Sequence, residues 1–245
     1  MAKAGRPPGR WVEVAPERFP GWAGSFADRH GELTAEPGPE ELVLRAADGA
    51  VAECHVPFPP MPVPSGGDPA ALATAAAAHA AAARTVGVLL VRLGGYAAGV
   101  FAGSPPVLVA SKTGSRLVHG RSAAGGWSQQ RFARRREKQA AGALGAAADA
   151  AVRVLGPYLG PDRPGQPGPQ RASRDAPAGT GGRLDAVVLG GDRRAIAGVS
   201  RDPRLAAVLE LAVDRFLTVP DPRLAVLRDC PRLFRAIRVL LTGPA

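Results

Sequence analysis

Glycines at positions 114, 120, 125 and 126 run up to two adjacent glutamines, Gln129 and Gln130, and the chain then continues Arg131-Phe132-Ala133-Arg134-Arg135-Arg136-Glu137-Lys138. Glycine permits positive φ and close approach of backbone to a ligand, and Ser128 is a good N-cap for a helix starting beside the glutamines. Such a junction offers backbone N–H groups and two carboxamides to one small volume. A carboxamide is a poor base, yet it can position a water while backbone donors stabilise a developing oxyanion. That suits hydrolysis of an ester on a substrate that brings its own reactive hydroxyl, with no Ser/His/Asp triad and no metal. Neighbouring helical residues face about 100° apart, so a single one of Gln129 and Gln130 reaches a given ester.

The positive charge of the chain is concentrated in the same stretch. Residues 112–138 hold eight Lys/Arg against one acid, so 27 of the 245 residues carry +7 of the net +10. Arg131, Arg134, Arg135 and Lys138 fall at i, i+3, i+4 and i+7 and form one stripe on the first helical turns, with Arg136 beside it and Arg121 in the loop. A run of charge is usually a solvated face. Here it follows directly on a glycine loop, and the sequence pI near 11.0 fits a polyanionic partner, since Lys and Arg on phosphate supply most sequence-independent affinity for nucleic acid. The stripe is therefore expected to bind RNA. Trp127, between the glycine pair and the helix, is either a hydrophobic staple or a ring at a loop tip that stacks on a base.

Other chemistry finds little support. Cys54 and Cys230 are the only cysteines and lie far apart, which suggests neither a disulfide framework nor a zinc site. His119 reads as a loop hydrogen-bonder, and His30, His55 and His79 are scattered, so no metal is expected. Asp185 and Asp192 read as strand-end or cap residues, which counts against a two-metal nuclease. Gly190-Gly191-Asp192 is a turn without a nucleotide-binding signature. No apolar run is long enough to span a membrane and the first residues lack a signal-peptide core, so a cytoplasmic protein is expected.

The elements that must hold this loop follow from pattern. Residues 1–40, rich in proline and glycine, read as an irregular arm with a helical turn around 16–29, and 41–245 as one domain. Residues 42–45 and 51–56 form a hairpin across Asp48-Gly49, and Asp68 caps an alanine-rich helix over 69–84. Strands over 85–93, 96–101 and 107–111 follow in hairpin order, with a short extension at 116–118. The helix after Ser128 carries Ala140, Leu144, Ala147, Ala151 and Val154 or Leu155 on the face that packs on the sheet, and Gly156-Pro157 stops it. Residues 160–182 read as a flexible excursion. Beyond it come a strand over 184–189, helices over 192–196 and 204–212, a strand over 216–219, and helices over 222–227 and 231–241. Strand and helix alternate after an antiparallel start, which predicts an α/β fold with a mixed sheet flanked by helices.

The reactive stretch resembles a known family. His119-Gly120-Arg121, then Gly125-Gly126, then Arg131-Phe132-Ala133-Arg134, is similar to the Gly-Gly-Gln domain of archaeal and eukaryotic peptide-chain release factors. Gly-Gly-Trp-Ser-Gln-Gln is closer still to the actinobacterial branch of the Vms-type release-factor-like family. The resemblance is most specific over 111–139 and extends over roughly 40–245. It implies a ribonuclease-H-like catalytic domain and hydrolysis of peptidyl-tRNA, with a glutamine helping water to cleave the ester in the peptidyl-transferase centre of the large subunit. Two departures are Ser122-Ala123-Ala124, which lengthens the loop, and Trp127, which stands where the release factors carry their glutamine. Reading Trp127 as one extra residue makes Gln129 the first candidate and Gln130 the second.

The function expected is therefore release of nascent chains from stalled ribosomal complexes, with Gly125 and Gly126 letting the loop approach the ester. Arg121, Arg131, Arg134, Arg135, Arg136 and Lys138 would hold rRNA or tRNA phosphate. No cofactor and no membrane are expected, and the protein is read as a monomer. The alternative is a non-catalytic ribosome-binding or RNA-binding factor that uses the same basic helix.

Overall fold

The computed structural model describes residues 9–63, 66–92, 94–115, 128–160 and 182–244, with the backbone alone over 128–140. In chain order its elements are β1 (Arg10–Val14), α1 (Phe19–His30), β2 (Leu33–Pro37), β3 (Glu41–Ala46), β4 (Val51–His55), α2 (Pro69–Ala81), β5 (Arg84–Arg92), β6 (Gly95–Gly103) and β7 (Val107–Ser115). Then follow α3 (Ser128–Leu155), β8 (Ala186–Gly191), α4 (Arg193–Val199), α5 (Ala206–Leu209), β9 (Ala212–Leu217), α6 (Leu224–Phe234) and β10 (Ile237–Thr242). The fold is α/β, with two five-stranded sheets in place of the single sheet expected. The chain divides into two units, 1–82 with 232–245, and 83–231.

In the first unit the sheet order is β1-β10-β4-β3-β2, antiparallel throughout. Its inward residues, among them Leu42, Leu44, Ala52, Cys54, Ile237 and Val239, pack with α1 and α2. Asp68 caps α2 by accepting from the Ala71 N–H at 2.8 Å, a device worth about 1 kcal/mol. The β3–β4 hairpin turns at Asp48-Gly49 as expected, with Gly49 at φ 90°, a conformation that glycine adopts without penalty.

Two expectations fail here. Residues 10–37 are not an irregular arm, because their prolines sit where elements begin or end. Pro16 opens a 3-10 turn, Pro20 lies in the first turn of α1, and Pro37 closes the edge strand β2, all positions where a missing N–H costs little. Phe19 and Phe26 are fully buried on α1, and Phe19, Trp22, Phe26 and His30 stack along it at centroid distances of 5.7, 5.6 and 4.7 Å. Residues 237–241 are not helical either. Leu233, Ile237 and Leu241 fit a four-residue spacing, but Ile237, Val239 and Leu241 also alternate, and pairing with both β1 and β4 makes β10 an interior strand.

In the second unit the order is β7-β6-β5-β8-β9. β5, β6 and β7 pair antiparallel, as the hairpin reading predicts, while β8 joins β5 and β9 joins β8 in parallel. α3 and α4 cover one face through Ala147, Ala151, Leu155, Ile196 and Val199. α6 contributes Leu227 to the other, opposite Gly99. Near the end of the unit the expected strand at 216–219 lies earlier, as β9, and the helix expected over 204–212 shrinks to a 3-10 turn and α5. The expected extension at 116–118 and the excursion over 161–181 lie outside the described residues. No described helix is long and apolar enough to cross a membrane.

Candidate functional site

The stretch that could do chemistry is anchored at both ends by described structure. β7 delivers the chain to Ser115 and α3 takes it up at Ser128. Arg121, Gly125, Gly126 and Trp127, with His119, lie between these points and outside the described residues. Gln129, Gln130, Arg131, Arg134, Arg135, Arg136 and Lys138 lie on the first turns of α3, whose backbone is helical from its first residue. On that backbone, positions 131, 134, 135 and 138 share one face and 129 and 130 diverge, as the spacing predicts.

α3 is longer than the sheet it rides on. Its 28 residues span about 42 Å at 1.5 Å per residue, whereas the nine residues of β5 span roughly 30 Å. Ala143 lines a small cavity with Arg92, Gly95 and Tyr96 at the sheet edge where β7 ends. Ser128 is fifteen residues earlier, so the helix continues about 22 Å beyond Ala143 along its own axis. Among its residues from 141 onward, the fully buried ones begin at Ala147. The basic turns and the glutamines are therefore on the part of the helix that precedes Ala143, and the part after it carries the buried residues.

The base of the loop has a fitted contact that sequence reading missed. Tyr96 on β6 lies directly across from Gly114 on β7, and a Cβ on Gly114 would run into the Tyr96 ring. Glycine there lets the ring lie over the strand two residues before the loop begins. Beside it Arg92 donates to the Val219 carbonyl at 2.8 Å and lies 3.7 Å from Asp221. The glycine was visible in the sequence, but not the ring opposite it, because strand register decides the pairing.

The other polar residues mostly take structural parts. Asp185 accepts from the Thr85 N–H at 2.7 Å where β8 begins, and Asp192 caps α4 through the Ala195 N–H at 2.8 Å. They sit at opposite ends of one strand, as strand-end and cap residues. Cys54 and Cys230 are both buried. Burial, then the Glu41 charge, raises the Cys54 thiol, and burial, then Asp229, pushes Cys230 up to about 12. His55, read as isolated, stands with Glu41 and Glu53 in the first unit, their ligand-type atoms within 4.8 Å of one another. The β3–β4 register sets Glu41 opposite His55, and the His55 Nδ1 lies 3.5 Å from Glu41.

Fold and sequence together define an α/β protein in which a polar, glycine-bearing stretch leads from a sheet strand directly into a long helix. The family model for the Actinobacteria/chloroflexi VLRF1 release factor matches residues 84–240, and the chain belongs to that family. Membership gives it a release-factor-like role associated with the ribosome, in translation. The matched stretch takes in nearly all of the second unit and continues through α6 into β10. No curated protein matches the chain.

Proposed function

We propose that this protein hydrolyses the ester bond of peptidyl-tRNA and releases nascent chains from stalled large-subunit complexes, in ribosome rescue or quality control. The second unit is the catalytic domain, of ribonuclease-H-like type, and its mixed sheet, in which β6 alone runs against the other four strands, supports that reading. Gln129 orients the water, with Gln130 as the alternative. Gly125 and Gly126 let the loop approach the tRNA 3′ end, and backbone N–H groups at the start of α3 stabilise the oxyanion. Arg121, Arg131, Arg134, Arg135, Arg136 and Lys138 hold rRNA or tRNA phosphate. The protein acts as a monomer in the cytoplasm and uses no cofactor.

The observation that carries this reading is the length of α3 before Ala143. A helix starting at Ser128 sets both glutamines on its first turn, about 22 Å along the helix from Ala143, a shape suited to reaching an ester at the bottom of a narrow RNA-lined site. Family membership supplies the release-factor class.

A second reading has its own support, in Trp127 at the position where release factors carry glutamine. On that reading the protein binds ribosomes through the basic helix without cleaving the ester. Release of labelled peptide from purified large subunits carrying peptidyl-tRNA separates the two, with binding measured in parallel. Gln129→Ala is expected to lower release by about 10²-fold or more, in the range for loss of a water-positioning or oxyanion group, while binding stays intact. Binding without release by the unaltered protein would leave the non-catalytic reading.

A further inference from the structure

The edge of the mixed sheet from which the loop departs carries cations that the loop and the α3 stripe do not use. β7 and β5 both pair antiparallel with β6, so they run the same way, and β8 and β9 run parallel to β5. Four carboxyl ends therefore share one edge, where Ser115 aligns with Gly95, Gly95 with Arg92, and Val91 with Gly191. Four strand spacings make this edge about 19 Å long. In open α/β sheets ligands bind outside the carboxyl ends, where the strand order reverses, which here is at β5.

Arg193 and Arg194 open α4 immediately beyond β8, and the Asp192 N–H ties that turn to the Val91 carbonyl at 2.8 Å. Arg223 stands before α6, next to Pro222, whose carbonyl lies 3.6 Å from where a Gly95 Cβ would be. All three arginines are exposed. The Arg193 guanidinium lies 4.3 Å over the Phe216 ring, which holds its plane while its N–H edge stays open to solvent. Arg194 and Arg223 form no ion pair among the described residues. Among the described residues, the two acids at this edge are engaged, Asp192 as the α4 cap and Asp221 beside Arg92.

We propose that Arg193, Arg194 and Arg223 form a second RNA contact, for the phosphate backbone of the tRNA acceptor stem. This rests on the hydrolase reading above, and the length of α3 before Ala143 selects the occupant. If the tip of α3 meets the tRNA 3′ end, a surface about 22 Å behind that tip faces RNA leading away from that end, which is the acceptor stem. Exposed arginines at three points along an edge suit successive phosphates, to which Arg binds through paired N–H donors.

The probe is a fluorescent acceptor-stem minihelix ending in single-stranded CCA, titrated with the full chain across a salt series. A ribosomal RNA hairpin of equal length serves as the comparison. The triple variant Arg193→Ala, Arg194→Ala, Arg223→Ala is expected to bind the minihelix about tenfold more weakly, with a salt slope shallower by nearly 1 per arginine. The triple Lys variant is expected to keep most of the binding, which separates lost charge from a damaged fold. Unchanged affinity and slope in the Ala variant would overturn the proposal, and so would an equal loss on both RNAs, which would make the surface a general RNA contact. If the unaltered protein releases peptide while the Ala variant still binds the minihelix normally, only the edge contact falls. If it neither releases peptide nor binds RNA, the hydrolase reading falls with it.

Discussion

Asp48 shows how one side chain at a turn can carry stability that pH controls. Its Oδ1 accepts from the Ala50 N–H at 2.9 Å and its Oδ2 lies 2.8 Å from the His30 Nδ1. The Ala50 hydrogen bond first, and then His30, hold the carboxyl below its ordinary value. A carboxyl depressed in the folded state stabilises it above the unfolded pKa, near 3.9, and that stabilisation disappears as pH falls through the lower folded value. Asp48→Asn is therefore expected to lower the urea midpoint at pH 7, and the gap to the unaltered protein should narrow as pH falls below about 4. A gap that stays constant down to pH 2 would sink this account. The sequence showed Asp48 as a turn residue. It could not show the His30 pairing, because the proline-rich pattern puts His30 in an irregular arm, and the residue comes beside the turn only where α1 ends.

At the scale of elements, α3 has a weak point that can be strengthened without touching the site. Gly145 is exposed in the helix interior, with nothing within 4 Å of where its Cβ would stand. Glycine there costs about 0.5–1 kcal/mol relative to alanine, so Gly145→Ala is expected to raise unfolding stability by about that amount. A thermal melt reads it, and a fall in midpoint would mean that the helix needs flexibility at this point. Legibility at this scale followed locality. The Asp48-Gly49 hairpin, the Asp68 cap and the stop at Gly156-Pro157 depend on neighbours in sequence and were readable. α1 and β10 depend on distant partners. The prolines around α1 read as breakers until its aromatic stripe had a sheet to cover, and 237–241 kept a helix-compatible spacing until β1 and β4 supplied a ladder on both sides. The α3 stripe was legible in register because helical spacing is fixed, whereas the Tyr96–Gly114 contact depended on strand register.

The whole molecule divides its charge as sharply as its sheets. The first unit holds nine Lys/Arg against ten Asp/Glu, which leaves 22 against 11 for the second. All of the net positive charge thus belongs to the unit with the loop. For RNA binding by the full chain, neutralising Arg10, Arg29 and Arg45 together is expected to leave the salt slope unchanged. Neutralising Arg131, Arg134 and Arg135 is expected to flatten it by nearly 1 per arginine. Equal flattening by both sets would mean that RNA feels only total charge. The sequence showed where the charge clusters but not this partition, since the tail of the chain returns to the first unit.

That return has a consequence for how the protein is made. Among the described strands β1 pairs with β10 alone, and β10 also forms one side of β4, so the first unit cannot close its sheet until β10 has been synthesised. The second unit is contiguous in the chain and can pair all its strands earlier. On the ribosome the basic, loop-bearing half therefore matures first, while the N-terminal strand waits more than 220 residues for its partner. A chain stalled before β10 emerges would carry an unpaired β1 and an open β4 edge, both ready to pair with another chain.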